Sequence, residues 1–228
     1  MKIKICTFIF YFISMFLSIL WAQSPEQDQK RRAGFQSTID KFEENRKSGR
    51  TADAEILFIG SSSFYGYVGF EEDYADFKAV NLGFGGSQMS DVLYFFDSLV
   101  KPYDPKHILV YEGDNDLNAG LSVDEFMADV KAFVRLVRIY KPGTLISFVS
   151  PKPSPARKNL EKKYHEAQKA LYEYANRTPG VEFIDVSTPM YRLDGKIRTE
   201  IWKSDSLHLN RTGYEKIWTP ILRAHLRK

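Results

Sequence analysis

Five short apolar runs, each stopped by glycine, proline or a polar turn, constrain this chain more than any other feature. Ile56, Leu57, Phe58 and Ile59 follow one another without polar interruption, the pattern of a strand covered on both faces. Residues 79–82, 107–111, 145–149 and 181–186 read as four further strands. Between them the apolar residues change to helical spacing. Phe35, Ile39 and Phe42 predict a first helix, and Val92, Phe95, Phe96 and Leu99 a helix over 87–100 with Ser90 as candidate cap. Ser122 and Glu125 form a capping box ahead of Phe126, Val130, Phe133, Val137 and Tyr140. A more polar helix over 156–176 would bury Leu160, Tyr164, Leu171 and Tyr174, and a last one over 210–227 runs through Tyr214, Ile217, Trp218 and Leu222. Strict alternation of strand and helix predicts an α/β protein: a three-layer α/β/α sandwich around a central five-stranded parallel sheet.

The first residues follow a different logic. Lys2 and Lys4 precede an uncharged run from Ile5 to Trp21, and Ala22 supplies a small residue before a polar stretch, the order of a secretory signal peptide. Residues 1–22 are therefore expected to be a cleaved leader, with an uncleaved membrane anchor as the alternative. An exported, periplasmic or secreted protein follows, with no stable membrane association once the leader is gone. Residues 23–53 read as a tail and helix, and 54–228 as the functional domain. Cleavage removes Cys6, the only cysteine, so neither disulfides nor cysteine metal sites are available. It also removes two lysines and no acid, lowering the net charge from +3 to +1, which leaves no nucleic-acid footprint. Lys30, Arg31 and Arg32 are read as a solvated basic cluster in the tail.

Chemistry collects after the strands. In a parallel sheet the ligand crevice lies beyond the carboxyl ends of the strands, and the first strand delivers Ser61, Ser62 and Ser63 there, directly after Gly60. The second ends in a glycine cluster, Gly83, Gly85 and Gly86, whose backbone N–H groups can approach a ligand closely. The third is followed by Gly113, Asp114, Asn115 and Asp116. Helix capping and turn formation explain each of these blocks taken singly. Asp205 and His208, three residues apart, add a carboxylate that can hold one imidazole nitrogen while the other faces a nucleophile, the assistance a serine hydroxyl requires.

Taken together, Gly60-Ser61-Ser62, Gly86 within the run from Asn81, Gly113-x-Asn115-Asp116 and Asp205-x-x-His208 resemble the four blocks of the SGNH, or GDSL-type, hydrolase superfamily of esterases, lipases and acylhydrolases. The likeness runs from Ile56 to the carboxyl terminus, and a further likeness, to its lysophospholipase-like bacterial branch, covers residues 83–87, 111–116 and 151–157. It implies a flavodoxin-like sheet, with Ser62 as nucleophile, His208 as general base and Asp205 as its orienting partner. Oxyanion-hole donors would be the N–H of Ser62, the N–H of Gly86 and the side-chain amide of Asn115. Ser61 departs from the usual Gly-Asp-Ser signature, which leaves Ser61, Ser62 and Ser63 to be told apart by structure.

The reaction so implied is hydrolysis of a carboxylic ester through an acyl-enzyme, with neither metal nor cofactor, and faster as the imidazole loses its proton with rising pH. The substrate is a small-molecule or polymer-borne ester, with short acyl groups on a carbohydrate or lipid carrier. A non-catalytic exported carbohydrate- or lipid-binding module of the same fold is the competing reading. It could use Phe64, Tyr65, Tyr67, Phe70 and Tyr74 for stacking, but has no need of a complete set of catalytic groups. The Gly-x-Ser-x-Gly elbow of α/β-hydrolases is absent, since Phe64 holds its fifth position. Loops 64–76, 151–157 and 188–203 are expected to wall the site.

Overall fold

A computed structural model describes residues 25–227, so the leader expected over 1–22, with Cys6, lies outside the described residues. Among those residues no helix is long and apolar enough to cross a membrane. The chain opens with α1 (Pro25–Lys47), then β1 (Ile56–Gly60), the short α2 (Ser62–Tyr65) and α3 (Phe70–Asp73), and β2 (Ala79–Gly83). Next come α4 (Met89–Tyr94), α5 (Phe96–Leu99), β3 (His107–Tyr111), α6 (Asp114–Asn118), α7 (Val123–Tyr140) and β4 (Leu145–Val149). A 3₁₀ turn (Pro155–Leu160) leads into α8 (Glu161–Ala175) and β5 (Val181–Ile184). The last helix is α9 (Arg211–Gly213), a π turn (Tyr214–Trp218) and α10 (Thr219–Leu226) in succession. The wide turn falls just before Pro220, whose ring would crowd the Lys216 carbonyl in a regular α-helix.

All strand pairings are parallel, in the order β2-β1-β3-β4-β5. Alternate residues of β1 feed two separate cores. Leu57 and Ile59 join the cluster covered by α1, α4, α5, α7 and α8, while Phe58 joins the one covered by α2, α3 and α10. Both faces are thus dry, which is why β1 could afford no polar residue. The order reverses between β1 and β3, so the crevice rule places a ligand site at the carboxyl ends of those two strands.

Several local expectations give way. The helix over 87–100 is broken at Phe95, and its cap is Gln88 rather than Ser90, because the Asp91 carboxylate at the third helical position accepts from the Gln88 N–H at 3.0 Å. The segment over 156–176 opens as a 3₁₀ turn, with only Glu161–Ala175 α-helical, and β5 stops at Ile184. Arg31 and Arg32 are not a solvated tail. They lie in α1 and converge on the buried Asp91 carboxylate at 2.8 and 3.2 Å, which clamps α1 to the start of α4.

At the opposite end of the sheet from the crevice, polar groups cross three strands. His107 Nε2 lies 2.7 Å from Ser147 Oγ, and that hydroxyl donates to Glu182 Oε2 at 3.3 Å. Its one hydrogen being so used, His107 must be the donor, the Nε2–H tautomer. Burial, with the nearby His225 adding to it and Glu182 opposing it, pushes the imidazole from 6.5 down to about 4. The unfolded chain takes up this proton below about 6.5 and the folded chain resists to about 4, so stability is intact above the first value and lost as pH falls toward the second. The contribution is about 3 kcal/mol. Urea melts at pH 7.5 and 4.5 should show the native protein losing about that much more than His107→Gln; equal losses would refute the assignment.

Candidate active site

Ser61, Ser62 and Ser63 leave β1 at Gly60, whose backbone runs so close to β3 that a Cβ there would stand 2.1 Å from the Tyr111 carbonyl oxygen. Only glycine permits that approach, and it turns the chain sharply into α2. Ser61 and Ser63 are fully buried, whereas Ser62, at the first position of α2, lines an open cleft of about 500 Å³. Of the three serines, Ser62 is the one the cleft reaches. Gly86, Asn115 and His208 line the same cleft, so four of the five sequence-derived site residues meet at one surface.

The fifth stands behind His208. Asp205 Oδ2 lies 2.7 Å from His208 Nδ1, while its Oδ1 accepts the backbone N–H groups of Leu207 and His208, both at 2.9 Å. Three donors on one carboxylate, the His208 N–H foremost, hold the Asp205 carboxyl well below the ordinary carboxylate range. The anion in turn fixes the imidazole with its proton on Nδ1 and leaves Nε2 as the basic nitrogen. This turn is tight enough to put Ser206 at φ 54, in the left-handed region that non-glycine residues seldom occupy. The bridge between Trp202 and Leu209 closes it.

Contacts between α2 and the last helix set the Ser62 segment against the His208 turn. Tyr214 donates to the Ser63 carbonyl at 2.8 Å and stacks on Tyr67 at 4.0 Å between centroids. Arg211 grips Asp73 through two hydrogen bonds of 2.6 and 2.7 Å. On the other wall, Asn81 Nδ2 donates to the Phe64 carbonyl at 2.6 Å and so ties the end of β2 to α2. Gly86 follows at φ 89 and lines the cleft, with open space where a Cβ would stand. Among the described residues neither the Ser62 N–H nor the Gly86 N–H meets an acceptor.

Asn115 Nδ2 donates to the Ser87 carbonyl at 2.9 Å, which leaves its second hydrogen for the cleft. Its neighbours in the block turn away from the cleft. Asp116 caps α6 and α4 by accepting from Gly113 N–H at 2.9 Å and Met89 N–H at 2.8 Å, with burial raising it to about 7. Glu112 accepts from Ser87 Oγ at 2.6 Å; burial, then the charge of Asp116, pushes it well above the ordinary range.

Each of the three loops expected to wall the site contributes, through Tyr65 and Gly66, Arg157, and Lys203. Leu207 and Gly85 complete the lining. Of the stacking candidates only Tyr65 is exposed, at 61%; Phe64, Tyr67, Phe70 and Tyr74 are core. Sequence reasoning missed Arg157 and Lys152 as anything beyond loop residues. Lys152 is completely buried against Asp114 at 2.7 Å, and Arg157 bonds both Asp114 and Asn115. Two cations in a rigid proline-rich loop at the carboxyl end of a central strand were the available signal.

A parallel sheet in the order β2-β1-β3-β4-β5 thus brings a serine at a helix start and an Asp–His pair together at its switch point. Residues 53–216 match the model of the GDSL-like lipase/acylhydrolase family, and the chain belongs to that family of ester-cleaving enzymes. No curated protein matches the sequence. Similar solved structures include a protein of Streptococcus pneumonia named for platelet activating factor, 23% identical over 90% of this chain and 100% of that one, TM-score 0.74. A GDSL-like lipase from Bacteroides thetaiotaomicron is 16% identical over 83% and 98%, TM-score 0.65. An acetylxylan esterase from Geobacillus stearothermophilus is 17% identical over 75% and 92%, TM-score 0.58. At these identities the likeness is one of fold.

Proposed function

We propose that this protein is an exported serine esterase that removes short acyl groups from a carbohydrate carrier through an acyl-enzyme on Ser62. The convergence of Ser62, the Asp205–His208 pair and three N–H donors on one cleft carries the reading. His208 Nε2 takes the Ser62 proton as Oγ attacks the ester carbonyl. The electron pair of the carbonyl moves onto its oxygen, where the Ser62, Gly86 and Asn115 N–H groups receive it, each worth about 3 kcal/mol in the transition state. The intermediate collapses, the C–O bond to the alcohol breaks, and the leaving alkoxide takes the proton from His208. Water then repeats the sequence on the acyl-enzyme and restores Ser62. Export rests on residues 1–22 and is checked by amino-terminal sequencing, which should begin at Gln23.

The lining supports short acyl groups and a polar carrier. Apart from glycines its apolar members are Tyr65 and Leu207, too little surface for a long chain, while Asn115, Arg157 and Lys203 offer polar partners. Tyr65 lies with its ring over Gly85, where a Cβ would come within 3.3 Å of a ring carbon. An exposed ring braced from behind, three residues from Ser62, is a stacking platform for a sugar. One of the similar structures, the acetylxylan esterase, acts on such a carrier. Tyr65→Ala should raise KM for an acetylated xylo-oligosaccharide about tenfold more than KM for 4-nitrophenyl acetate, the equivalent of about 1.4 kcal/mol of stacking. Equal changes for both, or a native acyl-length series peaking at long chains, would overturn the carbohydrate reading.

A further inference from the structure

We infer that Arg157 is a positioning residue for the oxyanion donor Asn115: its guanidinium, anchored on the buried Asp114 carboxylate, holds the Asn115 amide with an N–H directed at the cleft. The inference rests on the reading of Asn115 as an oxyanion donor. Arg157 sits in the 3₁₀ turn after β4, outside the Ser62, Gly86, Asn115 and Asp205–His208 blocks. Its side chain is 15% exposed. One terminal nitrogen, Nη1, donates to Asp114 twice, at the carboxylate Oδ1 and at the backbone carbonyl, the latter at 2.9 Å. The other, Nη2, donates to Asn115 Oδ1 at 3.1 Å.

An asparagine amide has two nearly isosteric ends, and only its neighbours decide which end faces where. Arg157 is a donor without acceptor capacity, so only the Oδ1 end can stand beside it and accept its hydrogen. The Ser87 carbonyl, an acceptor without a donor, takes only the Nδ2 end, at 2.9 Å. A half-turn of the amide would set N–H against guanidinium and carbonyl against carbonyl, and would replace the cleft-facing N–H. The guanidinium therefore secures the orientation, and its charge draws electrons from the amide oxygen and makes the opposite N–H a better donor.

The guanidinium itself cannot drift. Asp114 is held at its other oxygen, Oδ2, by the Lys152 ammonium at 2.7 Å, while the Tyr164 hydroxyl donates at 2.7 Å to the same Oδ1 that takes the guanidinium. With the backbone of Asp114 and Asn115 set by α6, side-chain rotation is the remaining freedom of the amide, and Arg157 removes it.

The test is a double-substitution cycle on 4-nitrophenyl acetate, with kcat and KM measured for native protein, Arg157→Gln, Asn115→Ala and the pair. Asn115→Ala is expected to lower kcat about 10²-fold or more. Arg157→Gln should lower kcat about tenfold with KM within about twofold, because a transition-state contact is lost rather than a substrate contact. In the Asn115→Ala background the same change should have almost no further effect, since its target is gone. Arg157→Lys, which keeps the charge on Asp114 without the second fork to Asn115, should resemble Arg157→Gln, and it answers the question if Arg157→Gln fails to fold. Multiplicative losses in the double variant, an effect on KM alone, or a fully active Arg157→Lys would overturn the inference. Unchanged kcat in Asn115→Ala would instead refute the oxyanion reading on which it rests.

Discussion

Ser62→Ala is expected to abolish ester hydrolysis, lowering kcat on 4-nitrophenyl acetate by about 10⁴- to 10⁶-fold, while Ser61→Ala and Ser63→Ala keep the bulk of the activity. The contrast follows from where the chain puts three identical side chains. Ser61 and Ser63 have no accessible surface, so neither reaches a substrate. Ser62 starts α2, lines the cleft and shares it with an imidazole held by Asp205. His208→Ala should match Ser62→Ala closely and the double variant should be no worse than either, because nucleophile and base act as a unit. Labelling by a fluorophosphonate, which needs an activated serine, should give one adduct on Ser62 in native protein and none in either single variant. An adduct on Ser61 or Ser63, or turnover by Ser62→Ala near the native rate, would sink the assignment. Inertness of a folded native protein to probe and ester alike would favour a binding module on the same fold.

How far these features were legible in the sequence depended on the range of the forces behind them. β3 was legible to the residue because an apolar run between Pro105 and Gly113 has no other way to bury five side chains. The break at Phe95 was not, since Val92, Phe95, Phe96 and Leu99 have the same spacing in one helix or in two abutting ones. The blocks around Ser62, Gly86, Asn115 and His208 were legible as chemistry, because polar and glycine residues directly after buried strands carry little packing value. Which serine reaches the cleft was not, because it turns on the rotation of α2 about its axis. Arg31 and Arg32 looked like tail residues because their partner, Asp91, lies about sixty positions away, and a sequence displays charges without their distances. Lys152 was hidden in the same way, its partner Asp114 lying 38 positions earlier in the chain.

Asp114→Ala is expected to cost about 3–5 kcal/mol of folding stability, the penalty for stranding a buried charge. Lys152 has no accessible surface, and its ammonium lies 2.7 Å from Asp114 Oδ2 and 3.3 Å from the Tyr111 hydroxyl. Tyrosine cannot neutralise it. Removing the carboxylate leaves two cations, Lys152 and Arg157, facing each other across a void, with the Tyr164 hydroxyl reduced to the longer bond to the Asp114 backbone carbonyl at 3.4 Å. Lys152→Met should cost far less, because Arg157 still balances Asp114 and the methionine fills the vacated space. The order of the two losses is the diagnostic, read from urea midpoints at unchanged m. A loss below about 1 kcal/mol for Asp114→Ala, or a larger loss for Lys152→Met, would contradict a buried ion pair at this position. The pH dependence has a definite sign. Burial alone would raise the Asp114 carboxyl, but the Lys152 and Arg157 charges outweigh it and hold it well below the ordinary 3.8. Its stabilisation is complete above that value and fades as the pH falls below it, a loss that Asp114→Ala should no longer show. Because the same carboxylate anchors the guanidinium on Asn115, acid conditions that protonate it should loosen the fold and the Asn115 amide together, so that under the proposed mechanism kcat on 4-nitrophenyl acetate should fall together with stability.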